Sequence, residues 1–130
     1  MLFRSAGILL ERHGNAVLVG IGINVTQAEF PVELTATSIA LHHGRTDRDA
    51  LMAAVLSGLM LWRDRLQRAG FAPVRSRWLE LASTIGRHVS VDSVSGIARG
   101  LDEDGALIVE RAEGTARILA GDVTEVRVGE

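Results

Sequence analysis

Residues 16–25 read Ala-Val-Leu-Val-Gly-Ile-Gly-Ile-Asn-Val, the longest nearly unbroken apolar run of the chain. A membrane-spanning helix needs about twenty such residues. The run is therefore predicted as a strand apolar on both faces, of the kind found at the centre of a sheet covered on both sides. Gly20 and Gly22 recur in it at period two, which puts both on one face. Glycine is unfavourable inside a strand. A face stripped of side chains must lie close against something, either another protein element or a flat ligand. Upstream, Ala6 to Leu10 is small and apolar, and Glu11-Arg12-His13-Gly14-Asn15 is polar, with Gly14 and Asn15 suited to positive φ. A hairpin is expected.

The chain has 130 residues, 47% of them hydrophobic and 23% charged, which suits one folded domain or a small domain plus a module and argues against disorder. A formal charge of −2 leaves no broad basic field for nucleic acid or an anionic membrane. No cysteine is present, so disulfides, thiol nucleophiles and thiolate metal sites are excluded. All fourteen basic residues are arginine. Without lysine there is no Schiff base and no P-loop. The N-terminus lacks the apolar core of a signal peptide, so a cytoplasmic location is expected.

Thr26 to Thr37 reads as loop, and Ser38 as the cap of a short helical turn ending at Gly44. Thr46 is the expected N-cap of a long helix, with Asp49 as its capping-box partner. Leu51, Met52, Val55, Leu59, Trp62 and Leu66 would form its inner face, and Gly70 its stop. A second helix starts near Pro73 and carries Val74, Trp78 and Leu81 inward. Beyond Gly86 the pattern changes to five short strand candidates within about 40 residues, the last running Val123 to Val128. They suggest a small barrel of SH3-like type. The boundary between the two parts falls near Thr84–Gly86.

Three segments together resemble one family. Ala6-Gly7-Ile8-Leu9-Leu10-Glu11 is similar to the A-G-I-L-x-E strand of biotin protein ligases, and Gly20-Ile21-Gly22-Ile23-Asn24-Val25 to their following G-x-G-[IV]-N strand. Gly96 to Asp102, Gly105-Ala106-Leu107 and Ala120-Gly121-Asp122-Val123 resemble their C-terminal SH3-like module. The resemblance runs from about Ala6 to Arg127. It implies an α+β fold: the C-terminal half of a class II synthetase-like mixed sheet with helices over residues 6–85, then a small SH3-like β-barrel over 86–130. Residues 1–5 are read as a non-native leader, because Leu2-Phe3-Arg4-Ser5 is what one frame of a common sequencing-adapter end encodes.

The resemblance also implies a reaction. Biotin and ATP, with Mg2+, give biotinyl-adenylate, and the biotinyl group passes to a lysine of a biotin carboxyl-carrier protein. Gly7, Leu9, Gly20 and Gly22 match positions beside biotin; Asn24 and Arg127 match positions near the nucleotide. The family's lysine three residues before the first glycine is Arg4 here, and arginine is a fork rather than a point charge. The family's G-R-G-R-x-G-R-x-W-type loop has no counterpart in these residues, nor has the helix-turn-helix of some members. The chain thus reads as a ligase fragment without its own catalytic residue and without nucleic acid or membrane partners. A homodimer or carrier contact through the Leu9–His13 edge strand is expected.

Other residues carry less chemistry. His42 and His43 are adjacent and diverge on a helix; His13 and His88 stand apart, so no metal site is expected. The acidic Asp102-Glu103-Asp104 turn is explained by solvation, and Trp62 and Trp78 by a core. Two other readings stay open: a non-catalytic module binding biotin or a carrier, and a lipoate ligase-like protein.

Overall fold

The computed structural model describes residues 4–31, 35–121 and 123–125. It is α+β, with two antiparallel sheets. By compactness the chain divides into Met1–Ser57 and Gly58–Glu130.

In the first unit, β1 (Ala6–His13) and β2 (Ala16–Ile23) pair antiparallel through the two-residue turn Gly14–Asn15. Gly14 takes φ 57°, the left-handed conformation that a hairpin turn of this length favours. The register sets Gly7 opposite Gly22, Leu9 opposite Gly20 and Leu10 opposite Val19. The strand predicted over 16–25 stops at Ile23, and neither of its faces is covered. Val17, Leu18, Val19 and Ile21 are all exposed, because among the described residues this sheet has only two strands. The expectation of a central, doubly covered strand is thereby corrected for the chain as it stands.

The loop after β2 leads to α1 (Ile39–His43), which stops at Gly44 with φ 72°. Ser38 is not its side-chain cap; its hydroxyl points back into the preceding loop. The long helix α2 (Arg48–Ala69) begins one residue later than a Thr46 cap would allow. Asp47 supplies the cap instead. Its Oδ1 accepts from the N–H groups of Asp49 (2.9 Å) and Ala50 (3.1 Å), while the Thr46 hydroxyl donates to the Gly44 carbonyl. A carboxylate is favoured there by the partial positive charge of the helix start. No residue of α2 is buried; Leu51, Val55, Gly58 and Trp62 are half-buried, whereas Met52, Leu59 and Leu66 are exposed.

In the second unit, α3 (Ala72–Leu81) starts with Pro73 in its first turn, where a missing N–H costs nothing. Trp78 and Leu81, expected inward, are exposed, and Trp62 is only half-buried, with Arg65 over its ring at 4.7 Å. Five strands follow: β3 (His88–Val91), β4 (Val94–Leu101), β5 (Leu107–Arg111), β6 (Gly114–Ile118) and β7 (Thr124–Glu125). Their order is β6-β5-β4-β3-β7, all antiparallel. Among the described residues this sheet is open, with β6 and β7 at its edges, so the expected closed barrel is not formed by them. Alternation along β3, β4 and β5 buries Val89, Val91, Ala98, Leu107 and Val109 on one face, with Ile85, Val94, Leu101 and Ile118 packed around them. Gly96 lies where a Cβ would meet the Glu110 carbonyl at 2.2 Å, so only glycine fits between β4 and β5. Phe71 packs on Gly105, and Arg75 Nε donates to the Leu101 carbonyl at 2.8 Å, which ties α3 to the end of β4.

The acidic turn does more than meet solvent. Asp102 Oδ1 accepts from the N–H groups of Asp104 and Ala106, both at 2.9 Å. Arg117 Nε donates to Asp102 Oδ2, and Arg117 Nη2 reaches Asp104 Oδ2 at 3.0 Å. The Arg117 guanidinium holds the Asp102 carboxyl below the usual carboxylate range, helped by the two backbone N–H groups. Asp102 in turn raises Arg117.

Candidate functional site

The site forms at the open end of the hairpin, within the first unit. Side chains alternate along a strand, so the register places Gly7, Leu9, Gly20 and Gly22 on one face. Gly7 and Gly22 are directly opposed, as are Leu9 and Gly20. A Cβ added at Gly7 or Gly22 would meet no atom within 4 Å; at Gly20 it would touch only Leu9, at 3.9 Å. Among the described residues of the first unit, nothing else lies within 4 Å of the patch. The two glycines of β2 show from spacing alone; that Gly7 completes the patch depends on the register.

Asn24 stands just past β2, held at three points. Its N–H donates to the Ser5 carbonyl (2.8 Å), its carbonyl accepts from the Ile39 N–H (3.0 Å), and its Nδ2 donates to the Thr37 carbonyl (3.0 Å). Its Oδ1 has no partner among the described residues. The Thr37 carbonyl takes one of the two Nδ2 protons, so Oδ1 and the second Nδ2 proton remain as acceptor and donor.

Arg4 joins the same knot. It bridges Ala36 in parallel: its N–H donates to the Thr35 carbonyl (2.8 Å), and its carbonyl accepts from the Thr37 N–H (3.0 Å). Thr37 thus bonds both Arg4 and Asn24. The Thr37 hydroxyl lies 2.8 Å from His42 Nε2, so His42 does not stand free on α1. Thr37 and Ser38 are buried. No local signal reveals these contacts, because the partners of the two residues lie 5 to 33 positions away.

Arg127 lies outside the described residues. Among the described residues no three or more His, Asp or Glu side chains gather as a metal site would require, and no helix is long and apolar enough to cross a membrane.

Residues 84–124 match the family described as the biotin protein ligase C terminal domain. A biotin--[acetyl-CoA-carboxylase] ligase of Paracoccus denitrificans is 34% identical, over 91% of this chain and 55% of its own length. The chain is related to the biotin protein ligases. The corresponding ligase of Mycobacterium tuberculosis is 36% identical over 94% of the chain and 48% of itself, and the bifunctional ligase/repressor BirA of Bacillus subtilis is 32% identical over 92% and 41%. The chain spans about half the length of the curated relatives it matches. Among solved structures, the apo biotin protein ligase of Aquifex aeolicus superposes with a TM-score of 0.85 at 26% identity, covering 95% of this chain and 59% of that one. The same enzyme in complex with biotin and ATP superposes at 0.84 and 27% identity, covering 96% and 56%.

Proposed function

We propose that this chain supplies one wall of a biotin protein ligase active site, with the biotin floor on β1 and β2 and a nucleotide contact at Asn24. The reaction is condensation of biotin with ATP to biotinyl-adenylate, then transfer to a lysine of a biotin carboxyl-carrier protein of a carboxylase, in the cytoplasm. The observation that carries this reading is the convergence of Gly7, Gly20 and Gly22 into one uncovered patch that ends at Asn24. Backbone without side chains lets a flat bicyclic ring lie close, and Leu9 adds an apolar contact.

Adenylation joins two anions, so positive groups must meet the developing charge. Arg4 is the cation of the knot, and it stands where the family has lysine. The arginine-rich loop of the family is absent from these residues, so further cations come from polypeptide outside them. Asn24 Oδ1 is an acceptor and cannot bond phosphate oxygens directly, which are acceptors too. It suits an N–H donor or a cation. Mg2+ commonly takes one or two protein oxygens together with substrate phosphates, and Asn24 fits that limited share. Arg127, near the end of the chain, is the second proposed nucleotide contact. We assign residues 6–85 to the catalytic part and 86–130 to the SH3-like module, with residues 1–5 a leader whose backbone bonds at Arg4 and Ser5 any residue could make. The exposed edge strand Leu9–His13 is the proposed contact for a second copy or the carrier protein, and proline at Leu10 or Arg12 should weaken it.

The test is biotin-dependent exchange of pyrophosphate into ATP. The 130-residue chain alone should show none. Exchange should appear when a second polypeptide supplies the arginine-rich loop and Arg4 is replaced by lysine. Exchange by the chain alone would show that the charge-stabilising groups lie elsewhere. Biotin binding without exchange under any complementation would favour the non-catalytic module.

A further inference from the structure

Ser38 is fully buried, yet its hydroxyl neither caps α1 nor faces the hairpin. It donates at 2.6 Å to the carbonyl of Gln27, eleven residues earlier, and so closes the loop that leaves β2 and returns to α1. The residue before it, Thr37, is the one whose carbonyl holds Asn24 Nδ2. Two more bonds run alongside, from the N–H groups of Ile39 and Ala40 to the carbonyls of Asn24 and Val25. These two fix the backbone of α1 against the end of β2. They do not fix the Asn24 side chain, which could rotate and present either end of its amide.

We infer that Ser38 is a positioning residue for the nucleotide step, acting on Asn24 through the Thr37 carbonyl. The inference rests on the proposed nucleotide role of Asn24. With the loop closed, the Thr37 carbonyl holds one Nδ2 proton and so fixes which way the amide faces, leaving Oδ1 and the second Nδ2 proton for a ligand. Without the Ser38 hydroxyl the Gln27 carbonyl loses this partner, and the side-chain bond that closes the loop between 27 and 38 is gone. The loop relaxes, and the Asn24 amide turns to whichever partner is at hand. A hydrogen bond of this kind commonly changes an equilibrium by about tenfold.

The experiment uses the isotopically labelled 130-residue chain, with AMP in the presence of Mg2+ and with biotin as probes, and the Asn24 side-chain amide and Gly22 backbone amide as reporters by NMR. In the wild type, the Asn24 amide protons should exchange slowly and shift on adding AMP, while Gly22 should shift on adding biotin. Ser38→Ala should speed exchange and weaken AMP binding about tenfold, and leave the Gly22 response to biotin unchanged. Ser38→Thr, which keeps the hydroxyl, should restore both. Thr37→Val removes the His42 contact but keeps the carbonyl, and should leave Asn24 as in the wild type. If AMP binding and Asn24 exchange are unchanged in Ser38→Ala, the inference fails and the nucleotide role survives. If Thr37→Val weakens AMP binding as much as Ser38→Ala, the effect is general loosening of the loop and the inference also fails. If AMP does not shift Asn24 in the wild type, the nucleotide role and the inference fall together.

Discussion

In the hairpin, Ile8, Leu10 and Val17 stay more than half exposed, whereas in the five-stranded sheet Val89, Val91 and Val109 are sealed to 1% or less. The residue types are the same, and β1 and β2 are if anything the more apolar strands. What differs is the number of neighbours. Each of β3, β4 and β5 has a partner strand on both sides and contributes to one shared buried cluster. The hairpin has one pairing and two open faces. Apolarity in a strand therefore records what the segment is built to meet; whether it has met it depends on the rest of the fold. A large exposed apolar surface of this kind marks a place of interaction.

Glycine offers the sharpest way to break the comparison, since both regions hold one in mid-strand. Gly96→Val would drive its side chain into the Glu110 carbonyl, and should destabilise the sheet by about 3 kcal/mol in a denaturant melt. A melt unchanged from the wild type would mean that β4 and β5 can move apart freely. Gly22→Val meets no atom, so its effect on the same melt should stay within about 0.5 kcal/mol. Its cost should appear instead in biotin affinity, lowered by about a hundredfold, or about 2.7 kcal/mol, in calorimetry. Wild-type affinity would show that the bare patch is not the floor.

Truncation gives the next largest contrast. Val109→Ala should cost about 2 kcal/mol of stability, because it leaves space among Val89, Val91 and Ala98. Val17→Ala in the exposed hairpin should cost well under half of that. Equal losses at the two sites would mean that the hairpin is covered in solution.

The smallest effect concerns pH. Asp102 has a folded carboxyl held below its ordinary value by Arg117, so its contribution is present above about pH 4, the unfolded value, and is lost as pH falls through the folded one. Asp102→Asn should flatten the fall of stability below about pH 4 and lower stability slightly at neutral pH. An unchanged acid limb would mean that the Arg117 pairing does not survive in solution.

Much of this arrangement was legible in the residues. The polar Gly14–Asn15 link gives a two-residue turn, and the alternating valines of 89–91 give a half-buried strand, because both signals are local. The period-two glycines announce a stripped face for the same reason. Other features needed contacts across the chain. Thr46 is a good cap by residue type, yet the helix starts one residue later and Asp47 takes the role. Trp78 lies at a helical spacing that suits burial, yet it is exposed because spacing names a face without supplying its cover. Ser38 has the look of a cap, but its hydroxyl is claimed by a carbonyl eleven residues upstream. The Asn24 amide is half-used for the same kind of reason: Thr37 reaches it only after the loop has folded back.

The hairpin register has one more consequence. Gly7 and Gly22 face each other seven positions from the Gly14–Asn15 turn, a distance of about 20 Å at the usual rise of a strand. Inserting a single residue in β1 between Leu9 and the turn would place Gly7 opposite Ile23, and would send its bare side to the other face of the sheet. The counting of residues in a stretch that touches neither biotin nor nucleotide thus acts as an alignment gauge for the patch. For the patch, its length matters and its composition does not.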